Sequence, residues 1–150
     1  MNHSMHLAME PALSQAAALT FEELGFLFPN EDLEPGQQTA SVDGTVSVDF
    51  QGPFNGSLIL RVCGAILPTI AANMLGEDDV PSMALQQDVL GELGNVVCGN
   101  ALPLMAGREV IFRLSPPCVL VTEPALENAA AQIQIGLEEG RADVFLFVKE

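Results

Sequence analysis

The amino-acid sequence predicts an α+β domain in which helices pack on an antiparallel sheet of about six strands. The apolar residues recur every three or four positions in some segments and every second position in others, which distinguishes helices from strands. These segments follow the order helix, two strands, two helices, four strands, which is typical of this class. At 150 residues and 49% hydrophobic composition, the chain is expected to form a single domain spanning residues 1–150.

The first helix is predicted at residues 10–28, after a loose leader formed by residues 1–8. Its apolar stripe has helical spacing and consists of Leu13, Ala17, Leu24 and Phe28. Residues 30–38 are polar and contain Pro35-Gly36, a turn signal, so we expect a connector there.

Two strands and a second helix are predicted next. Residues 42–50 alternate between apolar and polar or small side chains, as in a strand with one covered face. Asn55-Gly56 indicates a turn into an antiparallel partner at residues 57–62. Helical spacing returns at residues 65–75, where Gly76 is placed to end the helix, and Ser82 is expected to cap the next one.

The last third of the sequence predicts four strands. Residues 109–114 and 118–122 are short β-rich runs separated by Ser115-Pro116-Pro117. Residues 131–137 and 142–148 alternate in hydrophobicity around Glu138-Glu139-Gly140, which predicts a hairpin.

Composition argues against several classes of function. The net charge of −15 repels phosphate backbones and anionic lipids, so we expect neither nucleic-acid nor membrane binding. The N-terminal segment lacks the pattern of a signal peptide, and no apolar run is expected to span a bilayer.

The odd number of cysteines (Cys63, Cys98 and Cys118) in apolar surroundings predicts buried free thiols in a reducing cytoplasm. No metal site is expected, because no ligand cluster accompanies His3 and His6.

Residues 87–100, QDVLGELGNVVCGN, predict an amphipathic helix with an unusual polar face. At 100° per residue, Asp88, Glu92, Asn95 and Gly99 fall within an arc of roughly 60°. The opposite, apolar face consists of Leu90, Leu93, Val97, Ala101 and Leu104. Such polar residues are often only solvated, but Asn95 is a modest helix former, and Gly99 leaves room for another molecule to approach.

Two further residues are unfavourable in this helix. Gly94 should cost about 1 kcal/mol relative to Ala in a helix interior. Pro103 removes a backbone hydrogen bond, so the helix is expected to kink or end near Asn100.

The spacing of the polar residues resembles the signature of the CheC/CheX/FliY chemotaxis phosphatases. That signature is Asp or Ser, three residues, Glu, two residues, Asn, twenty-one residues and Pro, and it matches Asp88, Glu92, Asn95 and Pro117. The segments DVLGELGNVVCGNA and LSPPCVLV are similar to family segments, and the resemblance spans about residues 40–150. The first helix has no Asn three residues after Glu22 or Glu23, unlike CheC, which favours the CheX-like branch.

The resemblance implies a phosphatase that acts on the aspartyl-phosphate of a CheY-like response-regulator receiver domain. Asn95 would orient the attacking water, and Glu92 would pair with the receiver's active-site Lys. The chain would bind no cofactor of its own, since Mg²⁺ is supplied by the receiver, and it would form homodimers joined through their sheets. Because receiver active sites are acidic, the negative charge of the chain makes attraction weak unless a local basic patch compensates.

Several alternatives stay open at this point. Asp88 either orients its neighbours or is an inert surface carboxylate, and Gly99 leaves space for the partner. Pro117 is expected to shape a strand end near the helix, although Pro116 is the other ring that fits this role. The chain could also be a CheX-like module that binds receivers without useful catalysis, or an unrelated structural dimer.

Overall fold

The computed structural model describes residues 3–30 and 32–149. In chain order the elements are α1 (His3–Gly25), α2 (Pro35–Gln38), β1 (Val42–Gln51), β2 (Asn55–Cys63), α3 (Leu67–Leu75), α4 (Met83–Ala106), β3 (Arg113–Leu114), β4 (Cys118–Leu120), β5 (Ala131–Leu137) and β6 (Gly140–Lys149). The predicted fold class, with helices packed on a six-stranded antiparallel sheet, is confirmed.

The sheet has the order β3-β1-β2-β6-β5, with β4 also paired to β1. Every pair of neighbouring strands is antiparallel. The two short strands β3 and β4 share the outer side of β1, so β5 forms the opposite edge. In the described ranges, Asn30 forms an isolated antiparallel β-bridge with Gly136 on the outer side of β5.

The core lies between one face of the sheet and the helices α1 and α4. Val46, Leu60 and Val144 face one another across β1, β2 and β6, and all three are fully buried. The helix α4 packs on β1 through Gly94, where a Cβ atom would lie 2.8 Å from Val46 Cγ1. Gly94 therefore permits a close approach of helix and sheet that outweighs its unfavourable helix propensity.

The opposite face of the sheet carries a buried charge cluster. Asp143 is fully buried and accepts hydrogen bonds from Arg61 Nε (2.8 Å), Arg141 Nε (2.9 Å) and Gln134 Nε2 (3.0 Å). Arg61 also reaches Glu123, which lies in the connection from β4 to β5 (3.3 Å). The carboxylate is thus fully paired, as burial of a charge requires. The cluster engages two of the chain's five basic residues.

The N-terminal helix begins earlier than predicted. It starts at His3, so the loose leader is wrong for residues 3–8, while residues 1 and 2 lie outside the described part. The i, i+4 spacing of Met5, Met9 and Leu13 continues the apolar stripe backwards, and Met9 is fully buried. Burial of this stripe outweighs the cost of Pro11 inside the helix.

The predicted end of α1 at residue 28 is also wrong. The helix stops at Gly25, and Phe26 adopts a left-handed backbone with φ of +56°. The chain turns away there, which leaves Phe28 74% exposed instead of in the stripe. The polar connector that follows contains the short helix α2, whose buried Gln37 exchanges two side-chain hydrogen bonds with Asn30.

Several strand boundaries differ from the prediction. Asn55-Gly56 lies inside β2 and not in the turn, which is formed by residues 52–54. Gly56 is required there because a Cβ atom would overlap the carbonyl oxygen of Phe147 on β6. The predicted strands at 109–114 and 118–122 are reduced to β3 and β4, whereas β1, β5 and the hairpin to β6 are confirmed.

Candidate functional site

The helix α4 carries four of the predicted site residues along one of its sides. Asp88, Glu92 and Gly99 are exposed, and Asn95 between them is half-buried. We refer to these four residues as the polar stripe. The helix is fixed at its start by Ser82, whose hydroxyl accepts a hydrogen bond from the Leu85 amide at 3.2 Å. Because α1 and β1 pack along its other sides, the stripe stands on a rigid element.

Asn95 has an unusual environment within the stripe. Its Oδ1 atom is buried and has no hydrogen-bond partner among the described residues. A carboxamide carries two donors and one oxygen acceptor, and an unsatisfied buried acceptor costs about 1–3 kcal/mol. Unpaired buried groups of this kind call for a functional or solvent explanation. Asn95 thus combines partial burial with an unused hydrogen-bonding group.

The apolar face of α4 agrees with the sequence except at its last residue. Leu90, Leu93, Val97 and Ala101 are buried as expected. Leu104, by contrast, remains 38% exposed. The helix also continues through Pro103 to Ala106, so the expected end near Asn100 is wrong. Beyond Gly99, the side of the helix that carries Leu104 therefore borders an open groove, while Ala101, Leu102 and Met105 remain in the core.

Pro117 lies directly beside the polar stripe. A Cβ atom on Gly91 would be 3.2 Å from Pro117 Cγ, so the ring packs against the helix immediately before Glu92. Pro116 is exposed and Pro117 is half-buried, which identifies Pro117 as the ring beside the helix. Gly91 is one of three glycines in α4, and a glycine inside a helical pattern is a sequence signal of close packing that could have identified this contact.

A groove runs between α1 and the C-terminal half of α4 and begins at the polar stripe. It has a volume of about 340 Å³ and is lined by Gln15, Ala16, Leu19, Gly99, Asn100, Pro103, Leu104 and Arg108. We refer to it as the α1–α4 groove. A larger cavity of about 770 Å³ lies between α1 and β5 and includes no residue of the stripe.

Comparison with known proteins decides the family. The family model described as "Chemotaxis phosphatase CheX" matches residues 45–137, which contain all of α4 and Pro117. The chain belongs to the CheX family. The CheX-like branch expected from the sequence is therefore confirmed.

Solved structures of the CheX, CheC and FliY proteins share the fold of this CheX-family chain. CheX from Desulfovibrio desulfuricans is 16% identical, with a TM-score of 0.72 over 93% of this chain and 97% of that one. CheX in the CheX-CheY-BeF3-Mg complex from Borrelia burgdorferi is 19% identical, with a TM-score of 0.67 and the same coverages. FliY from Thermotoga maritima is 13% identical, with a TM-score of 0.61 over 99% of this chain and 91% of that one. Curated proteins gave no match.

The cysteines of this CheX-family chain differ in exposure. Cys63 and Cys98 are buried free thiols as predicted, whereas Cys118 is exposed at the start of β4, so that prediction is wrong. Burial raises the pKa of Cys98 to about 12. Burial and the nearby Asp143 carboxylate raise the pKa of Cys63 to about 11. Neither buried thiol is therefore a nucleophile at neutral pH.

Two further features of this CheX-family chain bear on the sequence predictions. Within the described residues, no group of three His, Cys, Asp or Glu side chains is placed to hold a metal ion. By length and mean composition alone, α4 is long and apolar enough to cross a membrane, and its polar stripe interrupts the apolar residues. However, 56% of its apolar stretch is buried inside the protein, as in the core helix of a soluble domain.

Proposed function

We propose that this chain is a cytoplasmic enzyme that hydrolyses the aspartyl-phosphate of a CheY-like receiver domain. The family supports phosphatase activity, and the relative from Borrelia burgdorferi was solved in complex with CheY. The observation that carries the proposal is the Asn95 amide, whose unpartnered oxygen lies on a rigid helix one turn from the exposed Glu92.

Asn95 would orient the attacking water. An acyl phosphate is already reactive, so placing a water in line with phosphorus is sufficient and no covalent nucleophile is required. The terminal torsion of Asn is soft, so rotation about χ2 would bring Oδ1 outward to accept a hydrogen bond from the water. The water oxygen forms the new bond to phosphorus, the aspartate carboxylate leaves, and the water protons remain on inorganic phosphate. A neutral amide performs this task without repelling the anionic phosphoryl group.

Glu92 would fix the register of the complex by pairing with the receiver's active-site Lys. On an ideal helix, three residues separate Glu92 from Asn95 by about 4.5 Å along the axis and 60° around it. The two side chains can therefore enter one pocket together. The Mg²⁺ ion would belong to the receiver, which holds it beside the phosphoryl group.

The remaining residues of the site would have supporting roles. Apart from the adjoining backbone of α4, no atom of the described residues lies within 4 Å of the position that a Cβ would take on Gly99, so this residue leaves space for the receiver to approach. Pro117 would position the helix by packing on Gly91. Asp88 is exposed one turn before Glu92, where it would contact the rim of the receiver.

The test is the decay of a radiolabelled phospho-receiver with and without the chain. We expect wild type to accelerate loss of label and Asn95→Ala to lower that rate by about a hundredfold or more, since the water is no longer positioned. Gln87→Ala is a matched control, because Gln87 is an exposed amide on the same helix that lies outside the α1–α4 groove and points about 80° away from Asn95.

The outcomes separate the two functional hypotheses. Equal decay with and without wild-type protein would refute the enzymatic proposal. If the chain still bound the receiver under these conditions, it would be a receiver-binding module without useful catalysis. Equal losses of activity in Asn95→Ala and Gln87→Ala would refute the role given to Asn95.

We also propose that two copies associate along the free edge of β5. Gly136 exchanges backbone hydrogen bonds with Asn30 on the outer side of β5, so by alternation Gln134 and Gln132 also direct their amides outward. Unpaired edge amides are a template for pairing with a second sheet. Sedimentation should give twice the chain mass of 15.9 kDa, and a species of one-chain mass would contradict the proposal.

A further inference from the structure

The α1–α4 groove has three features that the catalytic proposal does not use. First, it is continuous with the polar stripe, because Gly99 belongs to both. Second, its walls carry two exposed leucines, Leu19 at 44% and Leu104 at 38%. Leu104 belongs to the apolar face of α4 by its spacing, yet the fold leaves it on the groove wall. Third, the groove contains Arg108.

Arg108 is unusual because the chain has few positive charges. Only five basic residues accompany 20 acidic ones, and Arg61 and Arg141 are engaged by the buried Asp143. Arg108 is exposed and makes no ion pair with any other residue in the described ranges. It therefore places an unpaired positive charge in the groove that begins at the polar stripe of this strongly acidic protein.

The chemistry of the groove indicates what kind of segment it would bind. A partner that filled the groove would meet the apolar side chains of Leu19 and Leu104 and the guanidinium donor of Arg108. These features match a segment that carries an apolar side chain next to a carboxylate.

We propose that the α1–α4 groove is a second docking point for the receiver, with Arg108 as its specificity-determining residue. This inference rests on the proposed function. The occupant is an exposed segment of the receiver outside its phosphorylation pocket, with an apolar residue inserted between Leu19 and Leu104 and a carboxylate paired with Arg108. Arg108 thus supplies the local attraction that opposes the repulsion between an acidic enzyme and an acidic partner. It acts in binding and does not touch the reacting atoms.

A structural role for Arg108 is the competing explanation. The residue follows Gly107, which ends α4, and a positive charge near a helix C-terminus stabilises the helix dipole. A structural role predicts that loss of the charge lowers the melting temperature and leaves affinity unchanged. The docking role predicts that loss of the charge lowers affinity for the receiver and leaves the melting temperature unchanged.

The experiment measures affinity for a CheY-like receiver domain loaded with beryllofluoride and Mg²⁺, together with kcat and KM on the phosphorylated receiver. Arg108→Glu should raise Kd and KM by about tenfold while kcat stays within about twofold. Arg113→Glu makes the same charge change at an exposed position on β3 and should have little effect. The difference in Kd between Arg108→Glu and Arg113→Glu should become smaller at high salt, because salt screens the interactions of exposed charges.

A second pair of variants tests the apolar part of the groove. Leu104→Ser should weaken binding several-fold because it removes apolar surface from the interface. Leu75→Ser is its control, since Leu75 is 41% exposed at the end of α3 and lies outside the groove.

The results distinguish this inference from the proposed function. Receiver binding that is unaffected by both Arg108→Glu and Leu104→Ser would overturn the docking inference alone. Binding that depends on Arg108, without accelerated dephosphorylation by wild type, would support the docking inference and refute the catalytic proposal. Failure of wild type to bind any phosphorylated or beryllofluoride-loaded receiver would overturn both.

Discussion

Replacing Asn95 by alanine should stabilise the protein while it abolishes the proposed activity. The buried Oδ1 atom has no partner among the described residues, and such an acceptor costs about 1–3 kcal/mol in the folded state. Alanine removes the oxygen together with its cost. A group retained at the expense of stability is typical of a functional site.

Three contributions determine the expected change in the free energy of unfolding of Asn95→Ala. Loss of the unsatisfied acceptor contributes about 1–3 kcal/mol of stabilisation. The better helix propensity of alanine adds less than about 0.7 kcal/mol. Lost contacts of a half-buried side chain oppose these gains by less than about 1 kcal/mol. The balance is a stabilisation of about 1–2 kcal/mol, or an increase in Tm of about 2–8 °C for a domain of this size.

The assay compares Asn95→Ala with Asn100→Ala by thermal and urea unfolding. Asn100 is exposed on the same helix, so its replacement gains helix propensity without removing a buried acceptor. The Tm of Asn95→Ala should exceed that of Asn100→Ala by at least about 2 °C, with the same urea m-value. A Tm at or below that of Asn100→Ala would refute the reasoning, because it would mean that Oδ1 is already satisfied by an ordered water or contributes net packing.

Two further predictions concern binding and assembly. Glu92→Lys should weaken affinity for a beryllofluoride-loaded receiver by about tenfold through repulsion from the receiver's Lys, whereas Glu127→Lys, at an exposed position between β4 and β5, should not. Unchanged affinity in Glu92→Lys would contradict the assigned pairing. Gln132→Pro should shift a dimer towards one-chain mass, because it removes an outward amide from the edge of β5. A dimer of unaltered stability would show that the chains associate elsewhere.

The pattern of residues close in sequence was sufficient to predict most of the helices and strands. The hairpin of β5 and β6, the first strand, the Ser82 cap and the Gly76 stop all depend on neighbours close in sequence, and all were predicted. The exposure of Asp88 and Glu92 likewise follows from helical periodicity.

Errors arose where contacts distant in sequence outweigh a local signal. Gly56 resembles a turn residue, but the strand packed beside it requires the absence of a side chain. Gly94 is unfavourable for a helix, yet β1 lies so close that a Cβ atom there would be 2.8 Å from Val46 Cγ1. Pro103 signals a helix end, but α4 continues to Ala106. The spacing of apolar residues cannot reveal these contacts, since each depends on which element lies opposite.

The sequence alone determined the sheet, the helix and the order of Asp88, Glu92 and Asn95 along it, because periodicity and spacing are properties of the chain. Only the tertiary structure decided that the Asn95 oxygen has no partner among the described residues, that Pro117 packs against Gly91, and that Leu104 and Arg108 line an open groove. The physical reason is that burial and hydrogen-bond satisfaction depend on the neighbours that packing supplies, and those neighbours come from distant parts of the chain.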